Sequence, residues 1–546
     1  MGYEQKPWLK LYDRRIPHNV SIEETNLFEL LAKAARKYGE NPALSFFGKS
    51  WSFFETKHIA ETLASSLHNS GFKKGDRFAI MLPNSPHYIF SLFAAFRIGG
   101  IVVQVNPMYV QREIEYVLKD SGAEYMIVLD AFYEKVKQVQ PNTSLKKIIV
   151  VSFTGTKHEL ADGDVYFDEL LFMKQQSPLP EVEIDREEDI AVLQYTGGTT
   201  GVSKGVMLTH NNLLSNVIQV CDFSYLAWDD KPENFNMMSV LPMFHVFGLS
   251  CNALAGIREG CNQLILPRFD VREVMEIVKR EKPLQMSAVP TMYIALNSQP
   301  DLEDYGFDHI HFVSSGGAAL PVEQIKIFER KTGNRLVDGY GLSESSPSAI
   351  FNPPFLERKL GSIGIPIPGT ECRIVKDTLE GVVDVPVGEA GELIIRGPQV
   401  MKGYWNRPEE TKLVLEDGWL FTGDIARMDE DGYFYILDRK KDVIIASGYN
   451  VYPREIEEVL YQHEAIEEAL VIGISNEYRG ESVKAFVKLR IGFESTAEDI
   501  IQFAKQYLAP FKVPEVVEVK DELPKSSVGK LLRRALRDLE QEKLNV

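Results

Sequence analysis

Thr196, Gly197, Gly198, Thr199, Thr200, Gly201 and Lys204 lie in one short stretch, and their chemistry converges on one kind of ligand. The glycines let a backbone turn and approach a ligand closely, the threonines add hydroxyl donors, and Lys204 closes the stretch with a positive charge. Backbone N–H groups, hydroxyls and an ammonium are what an oligophosphate requires. Three other readings compete. A Walker loop needs a Gly-Lys-Ser/Thr step that is absent at the required spacing. Gly201 to Gly205 fits the G-x-S-x-G elbow that would make Ser203 a hydrolase nucleophile, but that elbow turns from strand into helix, whereas Val206, Met207 and Leu208 read as further strand. A plain Gly/Thr linker needs neither a lysine nor strand-like flanks. The phosphate cradle accounts for all of these residues.

Other residues with chemical potential follow downstream. His245 stands between Phe244 and Phe247, where a lone histidine is as a rule a core residue. Gly316 and Gly317 end a strand-like run, the position at which ligands meet parallel sheets. Asp338, Gly339, Tyr340, Gly341, Ser343 and Glu344 repeat the arrangement: strand, glycine turn, then a hydroxyl and a carboxylate suited to a hard cation. Asp424 in a Thr-Gly-Asp step is either a turn residue or an acceptor for a ribose diol. Lys530 follows a glycine in a basic tail that also carries Lys525, and is either solvated or offered to a phosphate.

The elements that must position these residues alternate. Segments with helical spacing at 27–38 and 56–70 are interleaved with buried runs at 77–82, 101–105 and 125–129, which implies right-handed parallel βαβ units. Asn211 and Asn212 read as a polar cap opening a helix. Between Gly361 and Met428 the texture changes to short strands with frequent turns. A five-charge block from Asp438 to Asp442 marks a second change. The expected fold is therefore α/β, a large N-terminal domain (1–437) of parallel βαβ sheets with a small β-rich subdomain. A linker (438–441) and a small α+β domain (442–546) follow, the latter with a Ser495/Glu498 capping box.

The 546-residue chain is too long for one core. Its net charge of −18 argues against nucleic acid as a partner and requires basic residues to be concentrated locally around any polyphosphate. Four scattered cysteines without a C-x-x-C pair read as buried thiols of a reducing compartment. The N-terminus has no apolar h-region, and the most hydrophobic window (87–110) is broken by Arg97, Gly99 and Gly100, so neither a signal peptide nor a transmembrane span is expected. The expected location is cytoplasmic.

Laid end to end, these motifs resemble the acyl-adenylate-forming superfamily of acyl-CoA synthetases, adenylation domains and firefly-type luciferases. The cradle resembles its signature loop, with Ser203 where proline is common. Gly339 to Glu344 resembles its Tyr-Gly-x-Thr-Glu motif, with Ser343 in the threonine place. Thr422-Gly423-Asp424, Asp438-Arg439 and Gly529-Lys530 match the remaining motifs in order. The stretches from Tyr404, Gly418 and Asp438 are most similar to bacterial long-chain fatty-acid–CoA ligases.

The resemblance implies a fatty acid, ATP and CoA as substrates and Mg²⁺ as cofactor. Acyl-AMP and pyrophosphate form first, and the CoA thiol then displaces AMP. It implies Thr196, Gly197, Gly198, Thr199, Thr200, Gly201 and Lys204 on the phosphates, with Gly317, Asp338, Gly339, Tyr340, Gly341 and Ile436 around the nucleotide. Ser343 falls on the α-phosphate, Glu344 with Thr196 on the metal, Asp424 and Arg439 on the ribose, and Lys530 on the reacting carboxylate. Phe244, His245, Phe247 and Gly316 fall on the acyl pocket, Ser447, Gly448 and Tyr449 on the CoA path, and Lys441 on a hinge that lets the C-terminal domain move. Lys204, Lys440, Lys441, Lys525 and Lys530, with Arg439, are expected to converge on one cleft. Each buried CH₂ is worth about 0.8 kcal/mol, so four further carbons mean roughly a hundredfold preference, which pocket depth alone decides. Medium-chain or aromatic acids and a carrier-protein acceptor stay open as alternatives, as do self-association and peripheral membrane contact.

Overall fold

The computed structural model describes residues 2–172, 179–196, 203–379, 381–446, 449–476, 480–526 and 529–544. Gly197, Gly198, Thr199, Thr200 and Gly201 of the cradle, and Ser447 and Gly448, lie outside the described residues. Among those described, the strands form four sheets. An eight-stranded sheet carries Arg77–Met81, Ile101–Gln104, Tyr125–Leu129 and Lys147–Val151 in parallel, with Ile190–Thr196 parallel to Ile101–Gln104. A nine-stranded sheet sets Asn236–Ser239, Gln285–Ala288, Phe312–Ser315 and Leu336–Gly341 parallel to one another. The first sheet's strands are the apolar, largely β-branched runs that parallel strands buried on both faces require. The second sheet's, such as Gln285–Ala288 and Phe312–Ser315, bury serines and an amide beside apolar residues.

Helices fill the space between the two large sheets. Phe53–Asn69 opens with a capping box in which Ser52 and Glu55 satisfy each other's backbone N–H. Pro86–Arg97 buries Tyr88 through Phe96 without interruption, and one hydrophobic cluster joins it to strand residues Phe78, Ile80 and Phe312. The apolar window at 87–110 is thus a buried helix, a Gly99-Gly100 turn and a strand. A Cβ at Gly100 would stand 2.6 Å from the Phe72 ring, and Arg97 leaves the apolar layer by donating to the Pro180 carbonyl. No helix among the described residues is long and apolar enough to cross a membrane.

The third sheet is antiparallel and joins Glu371–Thr378, Gly391–Arg396, Trp419–Met428 and Phe434–Arg439. The next strand, Ile444–Ala446, belongs to a fourth, five-stranded sheet with Ile466–Asn476, Gly480–Leu489 and Val516–Val519. The chain therefore changes sheets between Arg439 and Ile444, where the charged block stands.

Two caps differ from expectation. The helix His210–Tyr225 is capped by Thr209, paired with Asn212, because the Thr209 hydroxyl reaches the third amide of the helix. The helix Ala497–Lys505 is capped by Thr496 with Asp499, one residue beyond the Ser495/Glu498 pair. Both pairs offer a hydroxyl and an acid three apart, and local spacing does not choose between adjacent registers. The four cysteines are free and buried.

Candidate active site

The C-terminal ends of Phe312–Ser315 and Leu336–Gly341 open onto a cavity of about 1120 Å³ bounded on its other side by the third and fourth sheets. Thr196, Lys204, Phe244, His245, Phe247, Gly316, Gly317, Asp338, Gly339, Tyr340, Gly341, Ser343, Glu344, Asp424, Ile436, Arg439, Lys441 and Lys530 all line it. Residues spread over most of the sequence thus share one space.

The cradle's flanks are both strands. Ile190–Thr196 pairs antiparallel with Lys204–Thr209, and Thr196 stands opposite Lys204. Strand on both sides removes the strand-to-helix elbow a nucleophilic Ser203 would need. The Ser203 hydroxyl donates to the Thr196 carbonyl at 2.6 Å and so ties the two flanks together. The Lys204 ammonium pairs with Glu410 and lies 5.0 Å above the Tyr404 ring, so an arriving oligophosphate competes with one carboxylate for it.

Close packing explains the glycine turns. A Cβ on Gly339 would meet the Phe351 ring at 2.2 Å, and one on Gly341 the Pro347 carbonyl oxygen at 2.0 Å. The Phe247 ring lies 3.0 Å from where a Gly316 Cβ would stand, so that ring walls the cavity at the strand end. His245 accepts from the Phe247 N–H, and burial, with the nearby Lys530 charge adding to it, lowers its imidazole to about 4. At neutral pH it is an uncharged wall residue. Asp338 is raised to about 7 by burial, against the pull of Arg454 and Arg358.

Asp424 joins Tyr340 of one sheet to Arg439 of another. It faces Arg439 across the strands Trp419–Met428 and Phe434–Arg439, with Arg439 Nε 3.4 Å from Oδ1, and the Tyr340 hydroxyl donates to Oδ2 at 2.5 Å. Burial raises the Asp424 carboxyl, and Arg439, Tyr340 and Lys530 oppose that rise. Glu344 is held by the Tyr404 hydroxyl, which donates to Oε1 at 2.8 Å and leaves Oε2 for a ligand. Among the described residues no cluster of three acidic, histidine or cysteine side chains could hold a metal alone. A single carboxylate fits an ion bound chiefly through phosphate oxygens, as Mg²⁺ is.

Lys530 arrives from the fourth sheet's side. Its backbone N–H donates to the Ser526 hydroxyl, its carbonyl accepts from the Ser526 N–H at 2.7 Å, and Gly529 has a φ of +78°. A Cβ on Gly529 would lie 2.4 Å from Thr291 Oγ1, so only glycine lets this turn press against the start of the helix Pro290–Asn297. Lys530 is an exposed residue at the cavity wall. Desolvation by the surrounding walls, reinforced by Arg439, lowers its ammonium to about 8.

The expected convergence of basic residues needs correction. Lys440 turns away to Glu392 at 2.8 Å and Asp377 at 3.3 Å, and Lys525 is bound to Glu468 at 2.7 Å. Each is held by a carboxylate of the protein, and neither lines the cavity. Lys441 lines the cavity, its ammonium lowered first by burial. Tyr449 is exposed, stacks on Phe511 at 4.6 Å and is outside the cavity lining. Sequence reasoning missed Arg454, Arg533 and Arg537. Arg533 bridges Asp438 (3.1 Å) and Glu457 (2.7 Å), and Arg537 holds Asp442 (2.7 Å). The basic run from Lys530 to Arg534 was a signal for Arg533, whereas Arg454, in the helix Pro453–Leu460, had no such local mark.

The sequence matches AMP-binding enzyme over residues 31–405 and AMP-binding enzyme C-terminal domain over 455–530. It is 44% identical to a long-chain-fatty-acid–CoA ligase of Bacillus subtilis, covering 98% of this chain and 99% of that one. It is 38% identical to the Salmonella typhimurium protein of the same name, over 98% of each chain. Among solved structures, ATP-bound MatB from Rhodopseudomonas palustris superposes with a TM-score of 0.85 at 27% identity, covering 95% of this chain and 99% of that one. The anthranilate CoA ligase AuaEII with anthranoyl-AMP gives 0.86 at 25% identity over 100% of both.

Because its hydroxyl is spent on the Thr196 carbonyl in a half-buried hydrogen bond between the strand flanks, Ser203→Ala is expected to leave ATP affinity within about twofold. Calorimetric titration measures this, and a loss of affinity beyond about tenfold would return Ser203 to the ligand.

Proposed function

The chain belongs to the AMP-binding enzyme family, and from that premise we propose that it activates a long-chain fatty acid and transfers it to CoA. The fatty-acid carboxylate oxygen attacks the α-phosphorus of ATP, the α–β bridging bond breaks and pyrophosphate leaves. The thiol sulfur of CoA then attacks the acyl carbonyl carbon, AMP leaves, and the thiol proton passes to solvent. A thiol ionises readily enough that this second step needs no dedicated base.

The observation that carries the reading is the meeting of Lys530, Asp424–Arg439–Tyr340 and Glu344 in one cavity. Asp424, braced by Tyr340 and Arg439, accepts from the ribose hydroxyls. Lys204 and Thr196 hold the β- and γ-phosphates, and the Ser343 hydroxyl reaches the α-phosphate. Lys530 stabilises the charge that builds between carboxylate and α-phosphate. Glu344 with Thr196 would hold Mg²⁺, which would supply positive charge to neutralise the oligophosphate. Phe244, Phe247 and neutral His245 form an apolar wall beside the carboxylate, and Gly316 gives it room. The span 1–437 acts as the large domain, 438–441 with Lys441 as the hinge, and 442–546 as the part that moves between half-reactions. Movement of that part would bring the segment of Ser447, Gly448 and Tyr449 to the CoA path. ATP and CoA as substrates support a cytoplasmic place for the reaction.

The long-chain assignment draws support from relatives named for that substrate at 44% and 38% identity, against 33% for a 4-coumarate–CoA ligase of Petroselinum crispum. Pyrophosphate–ATP exchange with a panel of acids tests it: long-chain acids are expected to drive exchange best. Stronger exchange with aromatic or short acids would reassign the substrate, and no acid-dependent exchange would remove adenylation itself.

A second expectation follows from Lys530. Its ammonium, lowered to about 8, is charged below that pH and loses its charge above it. The kcat/KM of adenylation therefore holds below pH ~8 and falls as pH rises through it, because kcat/KM reports the free enzyme. Bound oligophosphate favours the ammonium and moves the limb in kcat upward. Lys530→Arg keeps its charge and removes the limb; a limb unmoved in that variant assigns it to another group.

A further inference from the structure

The helix Val322–Thr332 starts without a cap of its own. Its N-cap residue is Pro321, whose ring can accept no hydrogen bond. The Gln324 and Ile325 amides turn back to the Pro321 carbonyl. The Val322 N–H donates instead to Glu458 Oε2 at 3.3 Å, from the helix Pro453–Leu460 far along the chain. A carboxylate at a helix N-terminus satisfies an orphan donor and meets the positive end of the helix dipole.

This contact joins two bodies. Val322 stands on the large α/β part and Glu458 on the part that carries Lys530. Among the described residues, no other hydrogen bond or ion pair links 442–544 to the chain before Ile436. The remaining polar links sit at the strand Phe434–Arg439, where Arg454 donates from its side chain to the Ile436 carbonyl at 3.0 Å and from its backbone to Asp438 at 2.9 Å. Arg454 Nε also lies 4.0 Å from Glu458 Oε1 and orients that carboxylate toward Val322. The Glu458 side chain is 29% exposed, so water screens the contact only in part. Pro321, Glu458 and Lys530 line the same cavity.

The geometry points to Glu458 as a positioning residue for adenylate formation: by capping the helix at Val322 it seats the small part of the chain so that Lys530 reaches the reacting carboxylate. The inference rests on the adenylation reading above. Glu458 touches no reacting atom. It acts through the placement of Lys530, and misplacement of a catalytic group by about 1 Å is enough to cost on the order of a hundredfold. Thioester formation, which does not use Lys530, does not depend on this contact.

The two half-reactions separate this role from a merely structural one. Glu458→Ala is expected to slow acid-dependent pyrophosphate exchange about tenfold, the change that ~1.4 kcal/mol of lost capping converts to. The fall appears in kcat, with KM for ATP little changed. Glu458→Gln, which keeps an acceptor without the charge, falls between Ala and the unmodified enzyme. Conversion of supplied acyl-AMP and CoA to acyl-CoA proceeds at the unmodified rate in both variants. Exchange at the unmodified rate in Glu458→Ala, or parallel loss in both half-reactions, overturns the inference. Absence of acid-dependent exchange in the unmodified enzyme would overturn the adenylation reading instead, so the two failures are distinct.

Discussion

Two anions must meet at one phosphorus atom, inside a protein that itself carries a net charge of −18. At 4 Å and an effective dielectric near 20, each pair of like unit charges costs about 4 kcal/mol. Most of the site can be understood as an answer to that repulsion. Lys204 stands at the end of a strand and, among the described residues, has one acidic partner, Glu410. Arg439 is matched to Asp424, whose carboxylate Tyr340 also braces, and the proposed reaction offers that carboxylate to the ribose. Lys530 lines the same cavity from the fourth sheet's side, and the proposed reaction sets it beside the reacting carboxylate. The −18 balance is met by local placement: Lys204, Arg439, Lys441 and Lys530 all line one cavity.

Holding Lys530 there is a problem of architecture. It sits on a turn fixed by Ser526, pressed against Thr291 through a glycine, and followed by Arg533 and Arg537. Those arginines bind Asp438, Asp442 and Glu457, acids on both sides of the point where the chain passes from the third sheet to the fourth. A buried ionic cluster of this kind is weak evidence for net stability, because desolvation offsets its Coulombic gain. Its directionality is the more useful property, since it fixes the turn relative to the strand that bears Arg439. Desolvation first, then the nearby Arg439 charge, lowers the Lys530 ammonium to about 8, and Arg533 of the same cluster adds to it.

Much of this was legible in the sequence because the residues occur as local motifs with a mechanical meaning. Glycines beside hydroxyls and a lysine, flanked by apolar runs, give a strand–loop–strand, and Lys204–Thr209 is a strand as Val206 to Leu208 imply. The change of texture at Asp438 marks the change of sheet. Pairings between distant residues were not legible: Tyr340 with Asp424, Tyr404 with Glu344, or Glu458 with Val322. Each depends on tertiary placement, to which local spacing is blind. The same limit explains Lys440 and Lys525, whose charge was visible but whose carboxylates, Glu392 and Glu468, were not. Neighbouring hydroxyl–acid pairs likewise left the cap at Thr496 one residue from its expected place.

The central claim is that Lys530 serves the joining of carboxylate to α-phosphate and not the later thiol step. Single-turnover measurement of both half-reactions in Lys530→Ala tests it most directly. Acyl-AMP formation is expected to fall by about 100- to 1,000-fold, the usual cost of one preorganised charge donor, while thioester formation from supplied acyl-AMP stays near the unmodified rate. Equal loss in both half-reactions would contradict the claim and make Lys530 a support of the cavity as a whole.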